Sequence, residues 1–118
     1  PDLKVIVSPS SVGIVAAAQA VKDQGKIGKV YVTGLGLPSE MAGAIKSGAS
    51  KSFAIWNPID LGYAATYLAD DLVKGTATKT EASMGKLGKV KLDAEGNGAM
   101  AKPFVYDANN IDKFSKIF

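Results

Sequence analysis

Lys29-Val30-Tyr31-Val32-Thr33, followed at once by Gly34-Leu35-Gly36-Leu37-Pro38, is the stretch on which the fold turns. A short run rich in β-branched and aromatic residues, closed by a glycine- and proline-bearing loop, reads as a buried strand and its exit. The same pattern stands on both sides of it. Upstream, Leu3-Lys4-Val5-Ile6-Val7 is broken by Ser8-Pro9-Ser10-Ser11, whose hydroxyls suit a helix N-cap. Val12 to Gln24 then reads as an alanine-rich helix, with Ile14, Val15, Ala18 and Val21 on one side and Gly25 as its stop. Downstream, Ser39 is placed to cap a short helix through Ile45, with Glu40 in its first turn and Gly48 at its end. Ser52-Phe53-Ala54-Ile55-Trp56-Asn57 follows as a third strand, Pro58-Ile59 as a turn, and Asp60 to about Lys74 as a helix ended by Gly75.

Three strand–helix repeats with short connections imply α/β architecture: a parallel, doubly wound βαβαβα sheet with right-handed crossovers. The nearly non-alternating apolar strands fit a sheet meant to be covered on both faces. From Thr76 the pattern changes. Thr76 to Ser83 reads as polar and irregular, and Lys86–Leu92 and Met100–Tyr106 read as two strands around the turn Asp93-Ala94-Glu95-Gly96-Asn97-Gly98, a C-terminal hairpin tail. Asn109 or Asn110 is placed to cap a last short helix, Ile111 to Ile117. A doubly wound domain normally has about five strands, and three precede the change here. The expectation is therefore an incomplete lobe, cut from a longer protein with at least one strand–helix unit upstream.

Composition narrows the chemistry. The 118 residues contain no Cys, no His and no Arg; all 14 basic residues are Lys, set against 11 acids for a net charge of +3. Cys/His zinc sites, thiol redox chemistry and Ser-His-Asp or Cys-His nucleophile pairs lack their parts, so no catalytic or metal site and no cofactor is expected. Bidentate Arg recognition of phosphate or guanine is missing as well. The lysines are scattered among the acids, which describes a solvated surface and not a nucleic-acid stripe. No apolar run approaches the roughly 20 residues of a membrane span, so the chain is not expected to be membrane-embedded.

Ligands of open parallel sheets bind beyond the carboxyl ends of the strands. Three loops lie there: Ser8–Ser11, Thr33–Pro38 and Asn57–Asp60. They offer hydroxyls (Ser10, Ser11, Thr33), an amide (Asn57), a carboxylate (Asp60) and an indole (Trp56), a set suited to a neutral polyhydroxylated ligand and not to a phosphate-rich one. Each has a structural alternative. Ser10 and Ser11 fit a helix cap, Asp60 a cap or a dipole contact, Gly34-x-Gly36 simple turn chemistry, and Trp56 fits core and pocket equally. Asn57 is the leading site residue, because it closes a strand before a proline that excludes helix.

The runs Pro1-Asp2-Leu3-Lys4-Val5-Ile6-Val7, Ala16-Ala17-Ala18-Gln19-Ala20, Phe53-Ala54-Ile55-Trp56-Asn57 and Asn109-Asn110-Ile111-Asp112-Lys113-Phe114 resemble, in order and over essentially the whole chain, the C-terminal half of periplasmic sugar-binding proteins of bacterial ABC importers. The rhamnose-binding and autoinducer-2-binding types are the nearest. The resemblance implies a type I periplasmic-binding-protein lobe, with residues 1–57 in a C-terminal sugar-binding lobe. Residues 58–118 would form a crossover helix and tail contributing to both lobes.

It also implies a periplasmic protein, made with a signal peptide in its precursor, that is not an enzyme and hands a neutral, rhamnose-like sugar to a membrane permease. By position, Ser11 and Asn57 fall where relatives place polar ligand contacts. Val15, Ala16 and Ala17 fall where the autoinducer-2 type has Pro-Ala-Ala, and Val15 in place of Pro and Asn57 in place of an acid favour the sugar. The candidate ligand-binding set is thus Asn57, Ser11, Val15 and Ala17 by position, with Trp56 from the strand-end loops. Autoinducer-2 binding is the first alternative, and the effector domain of a sugar-responsive repressor is an alternative of another class. As a free piece, the chain is expected to self-associate through strands stripped of their neighbours, with Leu3, Val5 and Val7 exposed.

Overall fold

In the computed structural model, which describes residues 2–118, the three strand–helix repeats form where the apolar periodicity places them. They are β1 (Val5–Ser8), α1 (Ser11–Asp23), β2 (Tyr31–Gly34), α2 (Pro38–Ser47), β3 (Ser52–Ile55) and α3 (Pro58–Lys74). After them come β4 (Glu81–Ser83), a 3-10 turn at Gly85–Leu87, β5 (Lys89–Lys91), β6 (Phe104–Asp107) and α4 (Ile111–Phe114). β1 and β2 pair in parallel, from Val5 opposite Tyr31 to Ser8 opposite Gly34, and a parallel bridge from Leu35 to Ala54 joins β3 to them. This is the α/β strand–helix order the sequence implied, with β1 and β2 parallel and β3 attached through the bridge.

The chain divides into two units, residues 1–55 with 104–118 and residues 56–103. The core of the first is built from Ile14, Ala18 and Val21 on α1, Val32 on β2, Met41 and Ile45 on α2, and Phe53, Tyr106 and Ile111. The buried α1 residues recur at the three- and four-residue spacing of a single helix face. Phe53 and Tyr106 lie opposite each other in the β3–β6 ladder with ring centroids 5.4 Å apart. Such a cross-strand aromatic pair adds about 0.5–1.5 kcal/mol beyond its burial. The second unit packs α3 and the β4–β5 pair around Ala64, Ala82, Met84 and Val90.

Gly34 and Gly36 have a more exacting role than turn chemistry. A Cβ on Gly34, whose φ is +135°, would lie 1.9 Å from the Ser8 carbonyl oxygen. A Cβ on Gly36 would press on Met41, Ile14 and Phe53 at 3.0–3.3 Å. The first glycine lets β2 lie against β1, and the second lets the loop sit on the core.

Several expectations need correction. The tail is not a hairpin of Lys86–Leu92 with Met100–Tyr106. β5 pairs antiparallel with β4, inside the stretch read as irregular, while β6 pairs antiparallel with β3. The turn at Asp93 does form, with Asp93 Oδ1 accepting the Glu95 and Asn97 amides. The residues after it do not pair back on β5, because the aromatic sequence Phe104-Val105-Tyr106 completes the first unit's core instead. β4 escaped notice because it has three residues and one buried side chain, Ala82. Ser39 does not cap α2: Pro38 occupies the first turn and Leu37 precedes it with no side-chain cap. The third strand ends at Ile55, and α3 begins at Pro58, not at Asp60. The last helix stops at Phe114. Leu3, just before β1, and Val5 and Val7 on it are 59%, 48% and 70% exposed, as expected for this strand in the free piece, so the sheet is not covered on both faces there.

Candidate functional site

The start of α1 carries the hydroxyl-rich loop. Ser10, in extended conformation, is the N-cap; its Oγ accepts the Gly13 amide at 3.2 Å. Ser8 is buried, and its hydroxyl donates to the Ser10 carbonyl at 3.1 Å, bracing the loop from within. With the cap assigned to Ser10, Ser11 is the first helical residue and its half-buried hydroxyl is outside the cap. Val15 and Ala17 are half-buried and pack against the first unit's core. Val15 also lines a groove of about 170 Å³ between α1 and α2, with Ala18, Gln19, Met41 and Ala44. Thr33 is committed to the scaffold, its hydroxyl donating to the Ser52 carbonyl at 2.8 Å.

Asn57 and Trp56 belong to the second unit. Asn57 is the N-cap of α3: its Oδ1 accepts the Ile59 amide at 2.9 Å. The following proline excludes Asn57 from helical backbone, as a cap requires, and Pro58 itself suits the first helical position. The Nδ2 group donates to Asp60 Oδ2 at 3.0 Å. One Nδ2 proton and one Oδ1 lone pair remain for other partners. The amide at this position therefore has a structural use besides any ligand contact, and the Asn57-Pro58 pair carries the cap in two adjacent residues. Trp56 is 38% exposed, and its indole N–H donates to the Ala101 carbonyl at 2.6 Å, so the ring face is what it has left to offer. Ser11, Val15 and Ala17 thus lie in one unit, Trp56 and Asn57 in the other.

Two groups whose ionisation the fold displaces, Asp71 and Tyr63, brace the second unit. The Thr76 hydroxyl and the Ser83 amide, both bonded to the Asp71 carboxylate, hold its pKa below the usual range. Tyr63 is lowered by accepting the Lys86 amide at 3.1 Å. Both join α3 to the β4–β5 region.

A family model described as the periplasmic binding protein domain matches residues 1–77. The chain belongs to the periplasmic binding protein family. Among solved structures, this periplasmic binding protein chain is similar to a sugar ABC transporter protein of Actinomyces odontolyticus, at 39% identity and a TM-score of 0.76, over 97% of this chain and 38% of that one. It is also similar to an ABC transporter solute-binding protein of Clostridium phytofermentas with bound L-rhamnose, at 38% identity and a TM-score of 0.83, over 100% of this chain and 41% of that one. The LsrB protein of Clostridium saccharobutylicum in complex with AI-2 shares the fold, with a TM-score of 0.77 at 18% identity over 96% of this chain and 40% of that one. The chain spans about two fifths of the length of these solved relatives.

Proposed function

We propose that this chain is the C-terminal part of a two-lobed solute-binding protein that captures a neutral, rhamnose-like sugar and delivers it to the permease of an ABC importer. The observation that carries the reading is the similarity, along the full chain at 38% identity, to a solute-binding protein holding L-rhamnose. The residue chemistry supports it. Ser11, with a hydroxyl outside the cap, and Asn57, with spare donor and acceptor capacity, are uncharged groups of the kind that satisfy sugar hydroxyls. Trp56 offers a ring face, and Val15 and Ala17 an apolar backing.

In this reading residues 1–57 belong to the sugar-binding lobe, and residues 58–118 contribute to both lobes. The protein works in the periplasm as a binder and not as an enzyme. Ligand is held by closure of the lobes, which lets polar groups from both sides satisfy it while water is excluded. Calorimetric titration of the protein at its relatives' length against L-rhamnose, other neutral sugars, autoinducer-2 and sugar phosphates tests it. Saturable binding of L-rhamnose or a related sugar is expected. Binding confined to autoinducer-2, or to phosphorylated and anionic compounds, overturns it.

A further inference from the structure

The chain leaves the first unit after Ile55 and re-enters it at Phe104. The antiparallel β3–β6 ladder reaches that same point, its last rung being Ile55 opposite Phe104. Backbone pairing has no simple way to continue: Pro103 has no N–H to give, and Pro58 lacks one on the other segment. A side chain takes over. One residue beyond the rung, inside the second unit, Trp56 Nε1–H donates to the Ala101 carbonyl at 2.6 Å, across 45 residues of sequence.

We propose that Trp56 is a latch that ties together the two segments linking the units. Its hydrogen bond extends the association of the two segments past the point where the ladder stops. It closes the second unit at the place where the chain enters and leaves it. The indole is a donor only, so it suits a carbonyl that has no backbone partner within reach. The ring is 38% exposed, so burial alone does not account for its placement. The latch stands whether or not the protein binds sugar, because it concerns the link itself.

Trp56 is the sole tryptophan, so a ¹⁵N-labelled sample gives one indole cross-peak, assignable on sight. A hydrogen-bonded indole proton is expected downfield of its free position and slow to exchange with solvent. Trp56→Phe keeps a six-membered aromatic ring and removes the N–H donor together with the pyrrole part of the indole. By hydrogen–deuterium exchange and mass spectrometry, peptides covering 54–57 and 100–104 are expected to exchange about three- to tenfold faster in that variant, the range that loss of one net hydrogen bond allows. Peptides from α1, α2 and the β4–β5 pair are expected to be unchanged. An indole proton exchanging at the solvent-exposed rate, or unaltered exchange of both linking segments in Trp56→Phe, overturns the latch. Should the variant fail to fold, the indole measurement on the unsubstituted protein decides alone.

Discussion

Gly34→Ala is the most severe single-atom-scale test of the parallel β1–β2 pair. The added Cβ would stand 1.9 Å from the Ser8 carbonyl oxygen and 2.8–2.9 Å from the Ser8 carbonyl carbon and nitrogen, all backbone atoms that no rotamer change can move aside. At φ +135° the alanine would also occupy backbone space closed to L-residues, which costs about 1–3 kcal/mol. Relieving the clash means drawing β2 away from β1 at the Ser8–Gly34 rung, which strains the Leu35 N–H bond to the Ser8 carbonyl, now 2.9 Å; that bond contributes about 1 kcal/mol net. The sum is a loss of roughly 2–4 kcal/mol, a large part of the ~5–15 kcal/mol that holds a domain together. Gly43→Ala is the matched control. It sits mid-helix in α2 with nothing within 4 Å of the new Cβ, and is expected to stabilise by about 0.5–1 kcal/mol. Urea unfolding followed by far-ultraviolet circular dichroism reads both; with a slope of about 2 kcal/mol/M, Gly34→Ala should lower the midpoint by about 1–2 M. A Gly34→Ala protein within about 0.5 kcal/mol of the unsubstituted chain would refute the close approach of β2 to β1.

Asn57 can be split into its two roles: Asn57→Ser keeps an N-cap acceptor while losing the amide, and Asn57→Ala loses both. Both variants of the relatives'-length protein are expected to lose about ten- to hundredfold in sugar affinity by calorimetry, while only Asn57→Ala also loses about 1 kcal/mol in thermal unfolding. Asp71, whose folded-state pKa is lowered, stabilises fully above the ordinary carboxylate pKa of about 4 and progressively less as pH falls through the lower folded value. Asp71→Asn should therefore flatten the acid limb of stability below about pH 4 in a pH series of urea midpoints; an unchanged limb would count against the Thr76 and Ser83 bonds. The outer edge of β1, with Val5 and Val7 48% and 70% exposed, is expected to drive self-association of the 118-residue chain, measured by light scattering. Val7→Lys is expected to return it to monomer, and a monomeric unsubstituted chain would remove this role for the edge.

Where structure is written locally, the sequence by itself determined it. The strand–helix repeats follow from apolar runs punctuated by glycine and proline. The stops at Gly48 and Gly75 follow from backbone at positive φ, 81° and 68°, which glycine adopts without strain. The hydroxyl and amide chemistry of Ser10, Ser11 and Asn57 is legible at loop positions, and the Asn57-Pro58 pair carries its cap in two adjacent residues. Partnership was decided only by the tertiary structure. Phe104 to Asp107 has the composition to pair with β5 or with β3; the buried stacking of Tyr106 on Phe53 selects β3. Three-residue β4 has too little pattern to announce itself and exists because Ala82 finds Val90 across the ladder. The bond from Trp56 to Ala101 joins residues 45 apart through a backbone carbonyl, a group every residue carries and no sequence pattern marks. Local signals come from a residue's own conformational preferences and its near neighbours. Long-range pairing is settled by competition among partners for the same buried space, and that competition exists only once the chain has folded.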